Sequence, residues 1–181
     1  MKKLILLLIT VSITSISLAQ NIESETRKFI EESKHTRINK DWSKIAIFHS
    51  GINEYVKFFP IEVIDLKSGE TINALQLDMF IKNPDLYKTA WVGIDEVEDF
   101  IKFVEDNVIP NLGMKLKNKS SEFIFHAKEV TLKYFVHERK RRLTIKLNSY
   151  DNSEFKNYTF WTETQTDKIP NLLEVLKVIK N

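Results

Sequence analysis

The sequence predicts an α+β protein: an antiparallel sheet of about seven strands with two helices packed on one face. Three observations lead there. Apolar residues recur with period two through most of the chain, the side-chain alternation of strands. Two segments break that pattern with the i, i+3, i+4, i+7 stripe of an amphipathic helix. One of these helices lies within residues 89–107, between two runs of strand-like sequence, so strands and helices are grouped rather than strictly alternating.

The fold is expected to begin after residue 19. Residues 1–19, MKKLILLLITVSITSISLA, have the three parts of a secretory signal peptide. Lys2 and Lys3 form a positive start, residues 4–13 an apolar centre, and Ser17-Leu18-Ala19 a small-residue cleavage site, placing the cut between Ala19 and Gln20. A membrane span needs about 20 apolar residues. This run is shorter and is interrupted by Ser12, Thr14, Ser15 and Ser17, so no stable membrane insertion is expected once it is removed.

Losing Lys2 and Lys3 lowers Lys+Arg from 27 to 25, equal to the 25 acidic residues, so the mature chain is formally neutral. A global attraction to nucleic acid or anionic lipid is therefore not expected. Residues 20–181 suit a single α+β domain able to bury a sizeable core. There is no cysteine, which excludes a disulfide framework, a thiolate metal site, a cysteine nucleophile and a lipoprotein-type cysteine anchor. Packing must then supply stability, and twelve Phe, five Tyr and three Trp are available for it.

Residues 20–41 read as a lead-in, either mobile or helical: Ser24 ahead of Phe29 and Ile30 permits a short helix, and 34–40 is polar and reads as a loop. Residues 42–49 hold the apolar run Ile45-Ala46-Ile47-Phe48 of a buried strand. The segment 54–66 is strand-like around Pro60, which cannot donate to a ladder and marks an edge, a bulge or a break. Lys67-Ser68-Gly69-Glu70 predicts a turn with Gly69 at positive φ. The return strand, 71–81, places Leu75, Leu77, Met79 and Ile81 on one face. After an Asn83-Pro84-Asp85 turn, 87–93 predicts a strand running straight into a helix. Asp95 with Glu98 has capping-box spacing, with Asp95 as the cap. Val97, Phe100, Ile101, Val104 and Val108 make the buried stripe, and Pro110 and Gly113 end the helix.

Four antiparallel strands are expected at 122–127, 130–136, 142–148 and 155–161, with Asp151-Asn152-Ser153 as the last turn. Val130, Leu132, Tyr134 and Val136 share one face with Leu143, Ile145 and Leu147, leaving the other face wet. The chain closes with a helix capped by Thr166 or Asp167, with Pro170 in its first turn and Ile169, Leu172, Leu173, Leu176 and Ile179 as its apolar stripe.

Chemistry is sparse. His35, His49, His126 and His137 lack metal-ligand spacing; His126 and His137 fall near the ends of paired strands, where a rim position is the simpler reading. Asp95, Glu96, Glu98 and Asp99 suit the positive end of a helix dipole better than a cation site or a glycosidase pair. Residues 137–142 carry the strongest charge run, and Arg139, Lys140, Arg141 and Arg142 form a candidate polyanion patch with Lys115, Lys117, Lys119, Lys128 and Lys133 nearby in sequence. Phe123, Phe125, Tyr134, Phe135, Phe155, Tyr158, Phe160 and Trp161 could line an apolar pocket, although core positions are the simpler reading. The four glycines stand too far apart for a phosphate loop, and no catalytic, cofactor-binding or metal-binding residue is assigned.

The signal ending SLAQ, the hairpin IEVIDLKSGETINALQLDM and the strand–helix WVGIDEVEDFIKFVEDN resemble those of small exported bacterial proteins of unknown function. The resemblance implies no activity and transfers no functional residue. The expected protein is exported, periplasmic or extracellular, and non-enzymatic. It binds an envelope or extracellular partner, without nucleic acid and without a cofactor. The alternatives are a hydrolase of an envelope or extracellular polymer, using Glu96 or Glu98 with a histidine, and a carrier of a small apolar ligand.

Overall fold

The computed structural model describes residues 23–83, 85–148 and 158–180. The expected signal segment with Ala19 and Gln20, Pro84, the Asp151-Asn152-Ser153 turn and Phe155 lie outside the described residues. Within them the chain is α+β, built from nine strands in two antiparallel sheets with three helices. The expectation of about seven strands in one sheet with two helices is corrected accordingly.

The first sheet contains β1 (Thr36–Lys40), β2 (Ala46–His49), β3 (Tyr55–Asp65), β4 (Thr71–Ile81) and β5 (Leu86–Gly93). Its order is β1-β3-β4-β5, with β2 also on β3. Because β4 occupies one side of β3, β1 and β2 lie end to end along the other, pairing with residues 61–65 and 55–58 respectively. The interruption between them falls opposite Pro60. The Pro60 carbonyl accepts from Asp41 N at 3.1 Å, so its ring nitrogen, which has no hydrogen to give, faces the gap. Pro60 thus leaves its own strand intact and breaks the neighbour.

β1 lies in the polar stretch expected as a loop, and the middle three side chains of TRINK are exposed. Its backbone ladder to β3 holds it, not burial. The β3–β4 hairpin forms as expected, pairing Ile64 with Thr71, and Gly69 takes φ +76° in the turn.

From β5 the chain enters α2 (Ile94–Lys102), then a π-helical turn Phe103–Val108 and a 3-10 turn Ile109–Asn111. Pro110 removes the next N–H and crowds the carbonyl a turn earlier, and the widened turn just ahead of it is where such crowding is relieved. The capping reading is corrected: Gly93 is the cap residue, with no side-chain cap, and Asp95 and Glu96 lie in the first turn. A Cβ at Gly93 would meet the Asp95 carboxylate, which would have to swing aside to make room.

The second sheet is a meander of β6 (Ser120–His126), β7 (Val130–His137), β8 (Lys140–Leu147) and β9 (Tyr158–Thr162). Its inner face, Leu132, Tyr134, Val136, Leu143, Ile145 and Phe160, is fully buried. The closing helix α3 (Ile169–Lys180) follows a 3-10 turn Thr166–Lys168. That turn places Thr166 and Asp167 inside a helical segment, so neither caps α3; Gln165 precedes the turn and makes no side-chain cap.

α2 and α3 pack together on one face of the five-stranded sheet, and the second sheet closes over them, so one apolar core joins both sheets and both helices. Phe100 of α2 stacks on Phe125 of β6 at 4.6 Å. The third helix, α1 (Glu25–Glu32), N-capped by Ser24, lies on the opposite face of the first sheet. There Phe29 and Ile30 cover Phe59, Ile61, Val63 and Ala74.

Candidate functional site

The four basic residues of the charge run go three ways. Arg142 points to the outer face of the second sheet, stacked over Trp161 at 4.8 Å and bonded through Nη2 to Glu163 at 2.6 Å. Arg141, opposite Val136 on the inner side, donates to the Met114 carbonyl at 3.2 Å. Arg139, in the β7–β8 turn, and Lys140, which opens β8, line a groove of about 460 Å³ with Lys115, Leu116, Lys117 and Glu138.

The groove exists because the segment leaving the α2 helical run lies against the turn, where Leu116 N donates to the Glu138 carbonyl at 3.3 Å. Leu116 packs against the core and turns its neighbours, Lys115 and Lys117, to solvent. Lys115, Lys117, Arg139 and Lys140 are all exposed, and none makes an ion pair among the described residues. Six other described lysines do pair: Lys40 with Asp78, Lys102 and Lys180 with Glu98, Lys128 with Asp95, Lys133 with Glu122 and Lys177 with Glu105. Four cations without an ion pair among the described residues therefore lie side by side at this end of the second sheet. Glu138, the groove's one carboxylate, sits in the left-handed region at φ +53°.

A second surface was not singled out from the sequence. α1 covers only part of the far face of the first sheet. Tyr55, Phe80 and Tyr87 meet there, with ring centres 5.5 Å (Tyr55–Phe80) and 4.9 Å (Phe80–Tyr87) apart. Tyr87 is 68% exposed, and Lys57 Nζ sits 4.7 Å over the Tyr55 ring. The two tyrosine hydroxyls hydrogen-bond to each other. That bond, ahead of partial burial, pushes the Tyr55 hydroxyl up to about 12. The sequence signal was present: Phe80 is out of phase with Leu75, Leu77 and Met79 and so had to face away from the main core.

The acidic cluster is tied to neighbouring elements. Asp95 pairs with Lys128 at 2.9 Å, and Glu96 accepts from Lys128 N at 2.6 Å, docking the start of α2 on the β6–β7 turn. Burial pushes the Glu96 carboxyl up, against the Lys128 N–H. Glu98 pairs with Lys102 and Lys180, both at 3.3 Å, and these two lysines hold its carboxyl down. No histidine is bonded to either glutamate among the described residues.

His126 and His137 end opposite sides of the β6–β7 hairpin, His126 opposite Thr131 and His137 opposite Ser120. Six residues of β7 therefore separate them, about 20 Å at the rise of a strand. Among the described residues no group of three or more His, Cys, Asp or Glu is placed to hold a metal ion. Of the aromatic set, Tyr134 and Phe160 are core, Phe123, Phe125 and Tyr158 pack against the core, and Phe135 and Trp161 lie on the outer face. Among the described residues no helix is long and apolar enough to cross a membrane.

No known protein family, curated protein or solved structure matches the chain.

Proposed function

We propose that this is an exported, non-enzymatic binding protein, delivered to the periplasm or the extracellular space by residues 1–19, and that it meets its partner at the cationic end of the second sheet. One observation carries the reading: Lys115, Lys117, Arg139 and Lys140 share a groove, without ion-pair partners, in a chain whose mature charge is zero. Like charges gathered without a structural counterpart are costly to hold together, and a ligand of opposite charge relieves that cost.

Site-specific cross-linking tests this. A photoreactive residue at position 117 in the exported protein is expected to give a discrete adduct, and the same residue at position 106, on the helical run, none. Equal labelling from both positions, or none from either, would remove the groove as the contact surface. Fractionation with N-terminal sequencing is expected to recover the protein outside the cytoplasm, beginning at Gln20.

A further inference from the structure

Resting on the reading of the groove as the contact surface, we infer that its ligand is an anionic polysaccharide, bound through sulfate or carboxylate groups. Four cations line the groove and only one acid opposes them, so a single small anion leaves most of that charge uncompensated. A chain carrying repeated negative groups compensates several cations at once and releases its own condensed counterions. Three of the four cations are lysines, point charges on flexible stems, which read charge density rather than the fixed geometry of one bidentate oxyanion.

The lining also bears on which polymer. Proteins that bind single-stranded nucleic acid set aromatic rings beside the cationic track so that bases can stack. This groove is lined by Lys115, Leu116, Lys117, Glu138, Arg139 and Lys140, with no ring among them. A polymer recognised through its charged groups alone fits such a lining, and an exported protein meets polysaccharides first. Glu138 opposes the ligand and so limits affinity for any polyanion.

The test uses the mature protein, residues 20–181, with dextran sulfate, uncharged dextran of matched length and a duplex DNA of matched charge. Dextran sulfate is expected to bind and uncharged dextran not to. Affinity should fall on the order of a hundredfold between 50 and 200 mM salt if all four cations engage. K115A/K117A and R139A/K140A should each lower affinity on the order of tenfold or more. E138Q should raise it several-fold. These residues are exposed, and melting curves for each variant will show that the fold is kept. Binding unchanged in both double variants, no binding at 50 mM salt, or duplex DNA binding as tightly as dextran sulfate would each overturn the inference. A cross-link from position 117 that persists at 1 M salt and is not competed by dextran sulfate would keep the contact surface while overturning the polysaccharide.

Discussion

Arg27 and Glu129, 102 residues apart in the chain, close a two-point ion pair out of solvent, Nε to Oε1 at 2.9 Å and Nη2 to Oε2 at 2.7 Å. Glu129 is fully buried and also accepts from Ser24 N, Ser24 Oγ and Trp91 N. The Arg27 guanidinium lies 4.4 Å over the Trp91 ring. One carboxylate thus fastens the cap of α1, the edge of β5 and the β6–β7 turn together.

Removing either partner leaves a buried charge, so R27A and E129A are each expected to cost about 3–5 kcal/mol in urea unfolding. Replacing both with apolar residues is often neutral for a simple pair. Here it orphans the Ser24 and Trp91 donors as well, so R27M/E129L should remain destabilised by about 2 kcal/mol or more. A double variant as stable as the natural chain would show that the pair, and not the shared acceptor, matters.

Glu96 sets a pH dependence. Its folded carboxyl titrates above the ordinary value of 4.5, chiefly through burial. The folded state therefore holds this proton more tightly than the unfolded chain does. That contribution is complete below the unfolded value and is lost as pH rises through the folded one. E96Q removes the titration, so its stability relative to the natural chain should climb as pH is raised from 4 to 7. Parallel denaturation curves at those two pH values check this; a constant difference would contradict it.

Tyr55 provides a spectroscopic handle. Its hydroxyl, raised to about 12 mainly by its bond to Tyr87, should stay protonated when exposed tyrosines have ionised near 10. The stability linked to it is complete below pH 10 and is lost between 10 and about 12. In an absorbance titration at alkaline pH, Y87F should move the Tyr55 transition down toward 10. An unmoved transition would assign the shift to burial instead.

Glu138 sits at φ +53°, where side chains other than glycine and asparagine are strained by about 1–2 kcal/mol. E138G should therefore stabilise the protein by about 1 kcal/mol, raising Tm by about 2–4 °C for a domain of this size. A thermal melt decides it, and a lowered Tm would show that the carboxylate makes a stabilising contact.

The helices were legible because burial writes a period into a sequence. All five stripe residues of α2 and the π-helical turn that continues it, and all five of α3, are buried. Strands whose one face meets the core were legible for the same reason. β1 was not, since its polar side chains record no buried face. The division into two sheets was not legible either, because each sheet's inner face shows the same alternation and nothing in that pattern says which strands adjoin. At the candidate site, Arg139 and Lys140 were found from their charge run. That run could not show that its next two members would face elsewhere, because alternate residues of β8 point to opposite sides. Lys115 and Lys117 join the groove only through a tertiary contact, as Glu129 joins Arg27, and local sequence carries no mark of such pairings.

The gap opposite Pro60 has a further consequence. A sheet's outermost strand can recruit a foreign strand, the first step of aggregation, and a long unbroken edge is the better template. On one flank the edge is cut into β1, of five residues, and β2, of four. On the other, Trp91 N–H of β5, facing away from β4, is already bonded to Glu129. The divided flank is thus a poor template, and the β5 flank has one donor fewer to offer. In a chain with no cysteine, and so no disulfide to hold it closed, a divided edge is a guard against such pairing that is built into the backbone itself.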